Sequence, residues 1–552
     1  MELHPAVIER LARLAPDQRA AATTPPGPVL CVAPAGSGKT TTLVARIAWL
    51  LASGAARPGT IAAITFNKRA AIELGERLAT ALEPLGVGEG AVRVRTFHAL
   101  GLEILRDSGQ AAEPLVDRLA VLRRIAPEVG PGGWRRLDTA FSKLKLDLGV
   151  TVEEVAADPA PGPIARAFLA YQAELAAEGG LDFDDLVARS LLTLERDSGA
   201  LERWRARCAH LLVDEAQDLD RAQLRMALLL AAPVNRIFLV GDDDQSIYGW
   251  RLADVRRVLA LAEDLDGLRR VDLVVNYRCP ATVIRRAVRL VEHNVERFAK
   301  TIEPRAAAPG PIILAADAAD ESVRVRKVLA GWRGTAGTHA ILTRTNRELL
   351  PAIAAALELG VPFRPPPIDL LVGLPLVDTC IEDVRRTPAA LPLLARIEIV
   401  RAMWAARPQD PDADPDAPRP ADVASAVLAW AAPFRDLEAL EAAVIARREA
   451  LLELCREDAP LTFATAHATK GLEFDHVAVL GMERGRFPSA RSLADAPDPA
   501  RALEEERRLA YVAWTRARRS LALVYDPAAP SSFLLEAFDP DELGIDRDAV
   551  AG

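Results

Sequence analysis

One string narrows the possible folds more than any other: Ala33-Pro34-Ala35-Gly36-Ser37-Gly38-Lys39-Thr40. It follows a short apolar run, Val29 to Ala33, and opens a helical pattern that reaches about Ala52 with Leu43, Ile47 and Leu51 on one face. Strand, glycine-rich turn and helix in that order are the context of a phosphate-binding Walker A loop. The bare amides of Ala35, Gly36, Ser37 and Gly38 can wrap phosphate oxygens, and the helix N-terminus adds positive potential. Lys39 is expected to reach the β and γ phosphates and Thr40 to ligate Mg²⁺. Thr41 and Arg46, further along the same helix, complete the expected nucleotide-binding set on this side.

A loop of this kind belongs at the end of a strand in a parallel sheet covered by helices. The rest of the chain supports that. Apolar runs at Thr60 to Thr65, His210 to Val213 and Phe238 to Val240 read as further strands. A second α/β pattern starts near Val271, with strands expected at Pro311 to Leu314, Ala340 to Thr343, His476 to Leu480 and Leu521 to Tyr525. Two stretches are helical in pattern, 101–178, with a Pro/Gly break at Pro127 to Gly133, and 376–458. The second holds the tract RPQDPDADPDAPRP, which cannot pack as a core and reads as a loop. The fold class is therefore α/β, as two cores that each carry a mainly helical insertion.

Two acidic strings sit where strands end. Asp214, in Val213-Asp214-Glu215-Ala216-Gln217-Asp218, can hold Mg²⁺, and Glu215 can polarise an attacking water. Taken alone such a pair is an ordinary helix cap; beside a Walker A loop the catalytic reading prevails. Gly241-Asp242-Asp243-Asp244-Gln245-Ser246-Ile247-Tyr248-Gly249-Trp250-Arg251 follows the next strand. Gln245 can sense a γ phosphate, and Trp250 can meet a base. ATP chemistry and a stacking platform would then lie within a few residues of each other.

Bulk properties exclude other classes. The 552 residues carry a net charge of -9, so no global positive field attracts nucleic acid and any such site is a local groove. The five cysteines form no CxxC pair, which argues against a disulfide framework and suits a reducing cytoplasm. The N-terminus MELHPAVIERL has no apolar signal core, and no stretch is apolar for long enough to span a membrane.

Taken together, the strings resemble superfamily 1 DNA helicases of the UvrD/Rep/PcrA type, over most of the chain and in the family's order. Asp17-Gln18 looks like the adenine-reading segment, with Gln18 on the base. Thr65, Phe66 and Asn67 of Ile64-Thr65-Phe66-Asn67-Lys68 match a motif that touches DNA backbone. Arg95-Thr96-Phe97-His98 matches another, in which Phe97 stacks on a base and His98 lies beside it. Tyr248, Trp250 and Arg251 belong to the same implied strand-binding set. Leu181-Asp182-Phe183-Asp184-Asp185-Leu186 matches a further family string, and Asn276-Tyr277-Arg278 marks entry to the second motor domain, with Arg278 on the nucleotide. Arg344, in Leu342-Thr343-Arg344-Thr345-Asn346, corresponds to a γ-phosphate contact. In His467-Ala468-Thr469-Lys470-Gly471-Leu472-Glu473-Phe474, Glu473 corresponds to a ribose contact and His467 lies by the DNA. Arg516 is the implied arginine finger.

The resemblance implies two RecA-like motor domains, at 1–100 with 179–270 and at 271–375 with 459–552, and insertions at 101–178 and 376–458. The implied activity is ATP- and Mg²⁺-dependent 3′ to 5′ translocation on single-stranded DNA, with the second domain supplying Arg344 and Arg516 to the transition state. Single-stranded DNA and single/double-strand junctions are the implied substrates, a loading or processivity protein the implied partner, and the cytoplasm the implied location. Two alternatives remain: a translocase that needs a partner to unwind, and a scaffold that has lost the chemistry. The chain departs from the family in three places. Thr343 stands where a Tyr is usual, and Leu252 where Arg251-Leu252-Ala253 usually has Gly. The segment after Val361-Pro362-Phe363 lacks the usual Gly-Gly and paired Phe. The 376–458 insertion is also short, and no nuclease domain is expected after residue 530.

Overall fold

The computed structural model describes residues 3–110, 113–305, 309–366, 368, 370–406 and 419–544. The Pro/Asp tract, apart from its last two residues, lies outside them. The chain divides into two compact units, residues 1–308 with 500–515 and residues 309–499 with 516–552.

Six strands build the first unit's main sheet. They are β1 (Val29–Val32), β2 (Ile61–Thr65), β3 (Arg93–Thr96), β4 (His210–Val213), β5 (Ile237–Gly241) and β6 (Arg269–Asp272), and their order is β3-β2-β4-β5-β1-β6. Every pair is parallel. The central strands are buried on both faces, which is why they read as unbroken apolar runs. Alternate residues of β1 serve opposite layers: Val29 and Cys31 pack with Leu43 and Ile47 of the helix Lys39–Ala52, whereas Leu30 and Val32 pack with Leu100, Ile104 and Trp204. A two-stranded ribbon, β7 (Val275–Asn276) with β8 (Glu303–Pro304), completes this unit.

The second unit's sheet contains β9 (Ile312–Ala316), β10 (His339–Thr343), β11 (Leu461–Thr465), β12 (Phe474–Val479) and β13 (Ala517–Tyr525), ordered β11-β10-β12-β13-β9 and parallel throughout. Ile341, Phe463, Ala478 and Val524 line one of its covered faces. Two parallel sheets covered by helices, the first of them carrying a Walker A loop after β1, are a pair of RecA-like domains.

The helical stretches have cores of their own. Val121, Leu122, Phe141, Phe168, Tyr171 and Leu175 form one; Val377, Ile381, Ile397, Trp404, Val427 and Val444 belong to the other. The expected domain limits shift in three places. The helix Phe97–Asp107 gives Leu100 and Ile104 to the first sheet's core, so the first insertion begins beyond it. β6 pairs with β1, so the segment expected to open the second core at 271 closes the first sheet instead. The helix Pro499–Trp514 packs, from Ala500 onward, with the first unit although its sequence neighbours belong to the second.

Candidate active site and nucleic-acid interface

All six strands of the first sheet run the same way, so the loops after β1, β4 and β5 gather at one edge, the carboxyl edge where α/β proteins bind ligands. The loop after β1 is held from outside. Gly36 and Gly38 have φ of 67° and 87°, which L side chains rarely adopt. A Cβ on Gly36 would lie 2.7 Å from Arg278 Cβ, and one on Gly38 would lie 2.5 Å from Gln18 Nε2. Asn276 is fully buried: its Nδ2 donates to Ala35 O at 2.5 Å, and its Oδ1 accepts from the amides of Arg278 (3.0 Å) and Cys279 (2.7 Å). Gln18 Nε2 donates to Ser37 O at 2.8 Å while its Oε1 accepts from Ala15 N. Its amide thus shapes the loop from beneath. Asp17 Oδ2 accepts from Val274 N at 2.8 Å and ties the same helix to the chain after β6.

The residues fit a nucleoside triphosphate. Ser37 Oγ is buried without a partner. Lys39 Nζ donates to Ala33 O at 2.9 Å, inside its own loop. Lys39, Thr40 and Thr41 begin a 14-residue helix with no acidic residue in its first turn, so its free amides face an uncompensated positive end. Thr40 and Asp214 offer the hard oxygen donors that Mg²⁺ takes together with phosphate oxygens. Asp214 N donates to Ile64 O at 2.8 Å, continuing β4 past its end, and Asp214 Oδ1 accepts from Glu215 N at 2.9 Å. Glu215 has φ of 52°, an uncommon conformation for a non-glycine residue and one that clusters at functional sites.

Gln217, to which the sequence assigned nothing, joins two loops. Its Nε2 donates to Glu215 Oε2 at 2.6 Å and its Oε1 accepts from Asp242 N at 2.9 Å. Gln245 Nε2 in turn donates to Asp242 Oδ2 at 2.7 Å. The water-activating candidate and the phosphate-sensing candidate therefore share one chain of hydrogen bonds. Arg278 donates to Thr515 O at 3.4 Å, and burial lowers its pKa.

Arg46, expected at the nucleotide, lies away from the phosphate loop. It is 3% exposed, lies over the Phe238 ring at 4.4 Å and donates to the carbonyls of Ala21 and Thr24. Seven residues beyond Lys39 puts it roughly 10 Å along the helix axis, at 1.5 Å per residue. Its place is in packing the N-terminal helices.

Aromatic side chains form a surface in the same unit. Phe66 stacks on Tyr248 with centroids 5.1 Å apart, and Tyr248 meets Trp250 edge-on at 6.1 Å. Trp250 is 57% exposed, and the Arg251 guanidinium lies 4.7 Å from its ring centroid. Thr65 and Asn67 fix the loop that carries Phe66: Thr65 Oγ1 donates to Asn67 O, and Asn67 Oδ1 caps the next helix through Ala70 N.

Phe97, expected to stack on a base, lies in the core instead. It is 4% exposed, within the core of Leu100, Ile104 and Val187, and presents no face to a base. Thr96 caps the helix that Phe97 begins, which turns Phe97 inward and His98 outward, about 100° apart. The exposed ring here is Phe183, 58% accessible and stacked on His98 at 4.0 Å. Burial holds His98 down to about 4, so it is a neutral ring at working pH. Phe183 is fixed by its neighbours. Asp182 caps its helix through Asp185 N and accepts from Arg118, Lys145 and Tyr171 of the helical insertion.

In the second unit, Arg344 directly follows β10 and donates to Ser492 Oγ at 3.0 Å. Thr343 is fully buried, with its hydroxyl on Thr345 O at 2.8 Å. His467 follows β11 and is held down to about 3 by burial and by Arg344. Arg516 precedes β13 and donates to Leu472 O at 3.1 Å, and Glu473, next in sequence to that carbonyl, pairs with Arg518.

Residues 14–147 and 135–266 match the UvrD/REP helicase N-terminal domain, and residues 445–527 the UvrD-like helicase C-terminal domain. The chain belongs to the UvrD/REP helicase family. It is 29% identical to DNA helicase II of Escherichia coli over 92% of its length and 84% of the relative's. It is 28% identical to the Rep helicase of the same organism, over 95% and 94%, and 27% identical to the PcrA helicase of Leuconostoc citreum, over 92% and 81%. The helicase II alignment runs over 608 positions but uses 92% of the 552 residues here, so about 100 of its positions have no counterpart in this chain. Against the family pattern, Leu252 now has a physical meaning: its φ is 68°, where glycine would rest without strain. Among the described residues no helix is long and apolar enough to cross a membrane.

Proposed function

We propose that this chain is an ATP-driven motor of the UvrD type that moves 3′ to 5′ on single-stranded DNA and separates strands. One observation carries the reading: Gln245, hydrogen-bonded into the chain that reaches Glu215, stands five residues before the exposed Trp250 on the same loop. A change at the phosphates and a change at the strand grip then meet in one short segment.

The loop after β1 and Lys39 bind the β and γ phosphates. Thr40 and Asp214 would hold Mg²⁺, which would neutralise phosphate charge. Glu215 accepts a proton from the water that attacks the γ phosphorus, as the bond to the ADP oxygen breaks. Arg344 and Arg516 are the proposed cations for the charge that develops on the transferring phosphoryl group. Phe66, Tyr248, Trp250 and the His98–Phe183 pair offer rings to bases without reading sequence. Trp250→Ala is expected to raise the oligo-dT concentration for half-maximal ATPase by roughly ten- to a hundredfold, the scale of one lost stacking contact. A variant with unchanged half-saturation would remove Trp250 from the grip. The cytoplasm is the proposed location.

A second reading concerns unwinding. The roughly 100 positions of the relative without a counterpart, together with the short helical stretch 376–458, favour a motor that translocates well but needs a protein partner to open long duplex. Single-turnover unwinding of 3′-tailed, 5′-tailed and blunt duplexes of increasing length tests both readings. Opening of short 3′-tailed duplexes alone, falling steeply with length, is expected. Efficient unwinding of long duplex without a partner would refute the need for one, and a preference for 5′ tails would refute the direction.

A further inference from the structure

Between the helix Ala281–Val291 and β8 runs a seven-residue strap, Asn294–Lys300. At one end its cations enter the loop that carries Gln245. Lys300 Nζ lies 2.9 Å from Asp242 and 2.9 Å from Asp244 and also pairs with Asp243, with all four side chains at most 1% exposed. Arg297 grips Asp244 with two bonds, at 3.1 and 2.9 Å, and Phe298 N donates to Asp243 Oδ2 at 2.8 Å. Three carboxylates face two cations here, and burial with the neighbouring carboxylates pushes Asp243 up to about 6.

At its other end the strap is held by the helix Pro499–Trp514. Glu504 accepts from Val295 N at 2.9 Å and Glu296 N at 3.1 Å, and Arg507 donates to Asn294 Oδ1 at 2.7 Å. Adjacent Glu505 accepts from Gly249 N at 3.0 Å, beside Trp250. The contacts close a ring: from the 242–249 loop through Lys300 and Arg297 to the strap, through Glu504 to the helix, and through Glu505 back to the loop. A buried ion cluster is costly to assemble and gains nothing over apolar packing unless its geometry matters. Here that geometry fixes both ends of the segment between the phosphate-sensing side chain and the stacking ring.

Resting on the motor reading above, we propose that Lys300 and Arg297 are positioning residues that, with Glu504, make the rate of ATP hydrolysis respond to the bound strand. Neither touches nucleotide or base; they hold the loop so that a strand seated on Trp250 shifts Gln245 rather than being absorbed as local motion.

The test compares Lys300→Met and Glu504→Ala with wild type in three measurements: ATPase without DNA, ATPase at saturating oligo-dT, and the oligo-dT concentration for half-saturation. Cooperative thermal melting of each variant is checked alongside. Expected are near-normal basal turnover and half-saturation with the stimulated turnover lowered on the order of tenfold, the size of a coupling term. Basal and stimulated rates that fall in proportion, or stimulation that is unchanged, would overturn the inference. Should Lys300→Met fail to fold, Glu504→Ala decides alone, because it leaves the Lys300 cluster intact and removes the acceptor of the strap amides and of Arg508, which keeps its bond to Glu296 O at 2.6 Å. A wild-type chain that oligo-dT does not stimulate would overturn the motor reading and this inference together; a stimulated wild type with fully stimulated variants overturns this inference alone.

Discussion

Lys39→Ala is expected to abolish ATP hydrolysis, with turnover falling on the order of 10³-fold or more, because it removes a full charge from the phosphate cradle rather than one neutral donor. Lys39 Nζ already lies within the loop, 2.9 Å from Ala33 O, and a bound phosphate exchanges that carbonyl for a charged oxygen. The loss is specific to chemistry. Lys39 is the first residue of its helix, a position where alanine is well tolerated, and Asn276 and Gln18 hold the loop through Ala35 O and Ser37 O independently of the lysine. Melting should therefore match wild type while phosphate release at saturating ATP and DNA falls to background. Wild-type turnover in this variant would refute the phosphate site.

Arg516→Ala is expected to slow turnover by about 10³-fold, the scale of a lost arginine finger, with nucleotide affinity nearly unchanged. A finger acts on charge that develops as the γ-phosphoryl group transfers, so its removal falls on the transition state and not on ground-state binding. The side chain is placed by structure its own mutation leaves alone: it stands at the start of β13, whose register with β12 is set by residues 517–523. Titration with a fluorescent ATP analogue gives the affinity, and steady-state phosphate release gives kcat and KM. Normal kcat with a raised KM would show a binding residue and contradict the finger role.

The legible parts of the fold were those with a local signature. Buried central strands such as β4 and β5 read as apolar runs because both their faces are covered. In the two main sheets the strands without such a signature, β3, β11 and β6, stand at sheet edges in the order. An edge strand such as Arg93–Thr96 is only half-buried and carries charge, so no apolar run marks it. The placing of β6 depended on its partner β1, more than 200 residues away, and nothing local records that pairing.

The candidate site followed the same rule. The Walker A glycines, Asp214 and Trp250 stand out in the sequence because the chemistry they suggest is carried by adjacent residues. Phe97 was misplaced because a motif names a residue but not the direction it points, and one helical step exchanges an inward Phe97 for an outward His98. Asn276, Gln217 and Phe183 lay inside strings already recognised, without a role. Lys300 and Arg297 have no signal at all, since the buried ion cluster is assembled from segments 53 to 58 residues apart.

Directional movement along one strand can be read as arrival of the protein at a labelled end. Oligo-dT of increasing length, labelled with a fluorophore at the 5′ end or the 3′ end, is bound to the protein and mixed in stopped flow with ATP, Mg²⁺ and a trap for released protein. Movement 3′ to 5′ gives a lag before the 5′-label signal that lengthens in proportion to strand length, and for the 3′ label an immediate decay without such a lag. A signal that requires no ATP, or a length-dependent lag at the 3′ label instead, would contradict it.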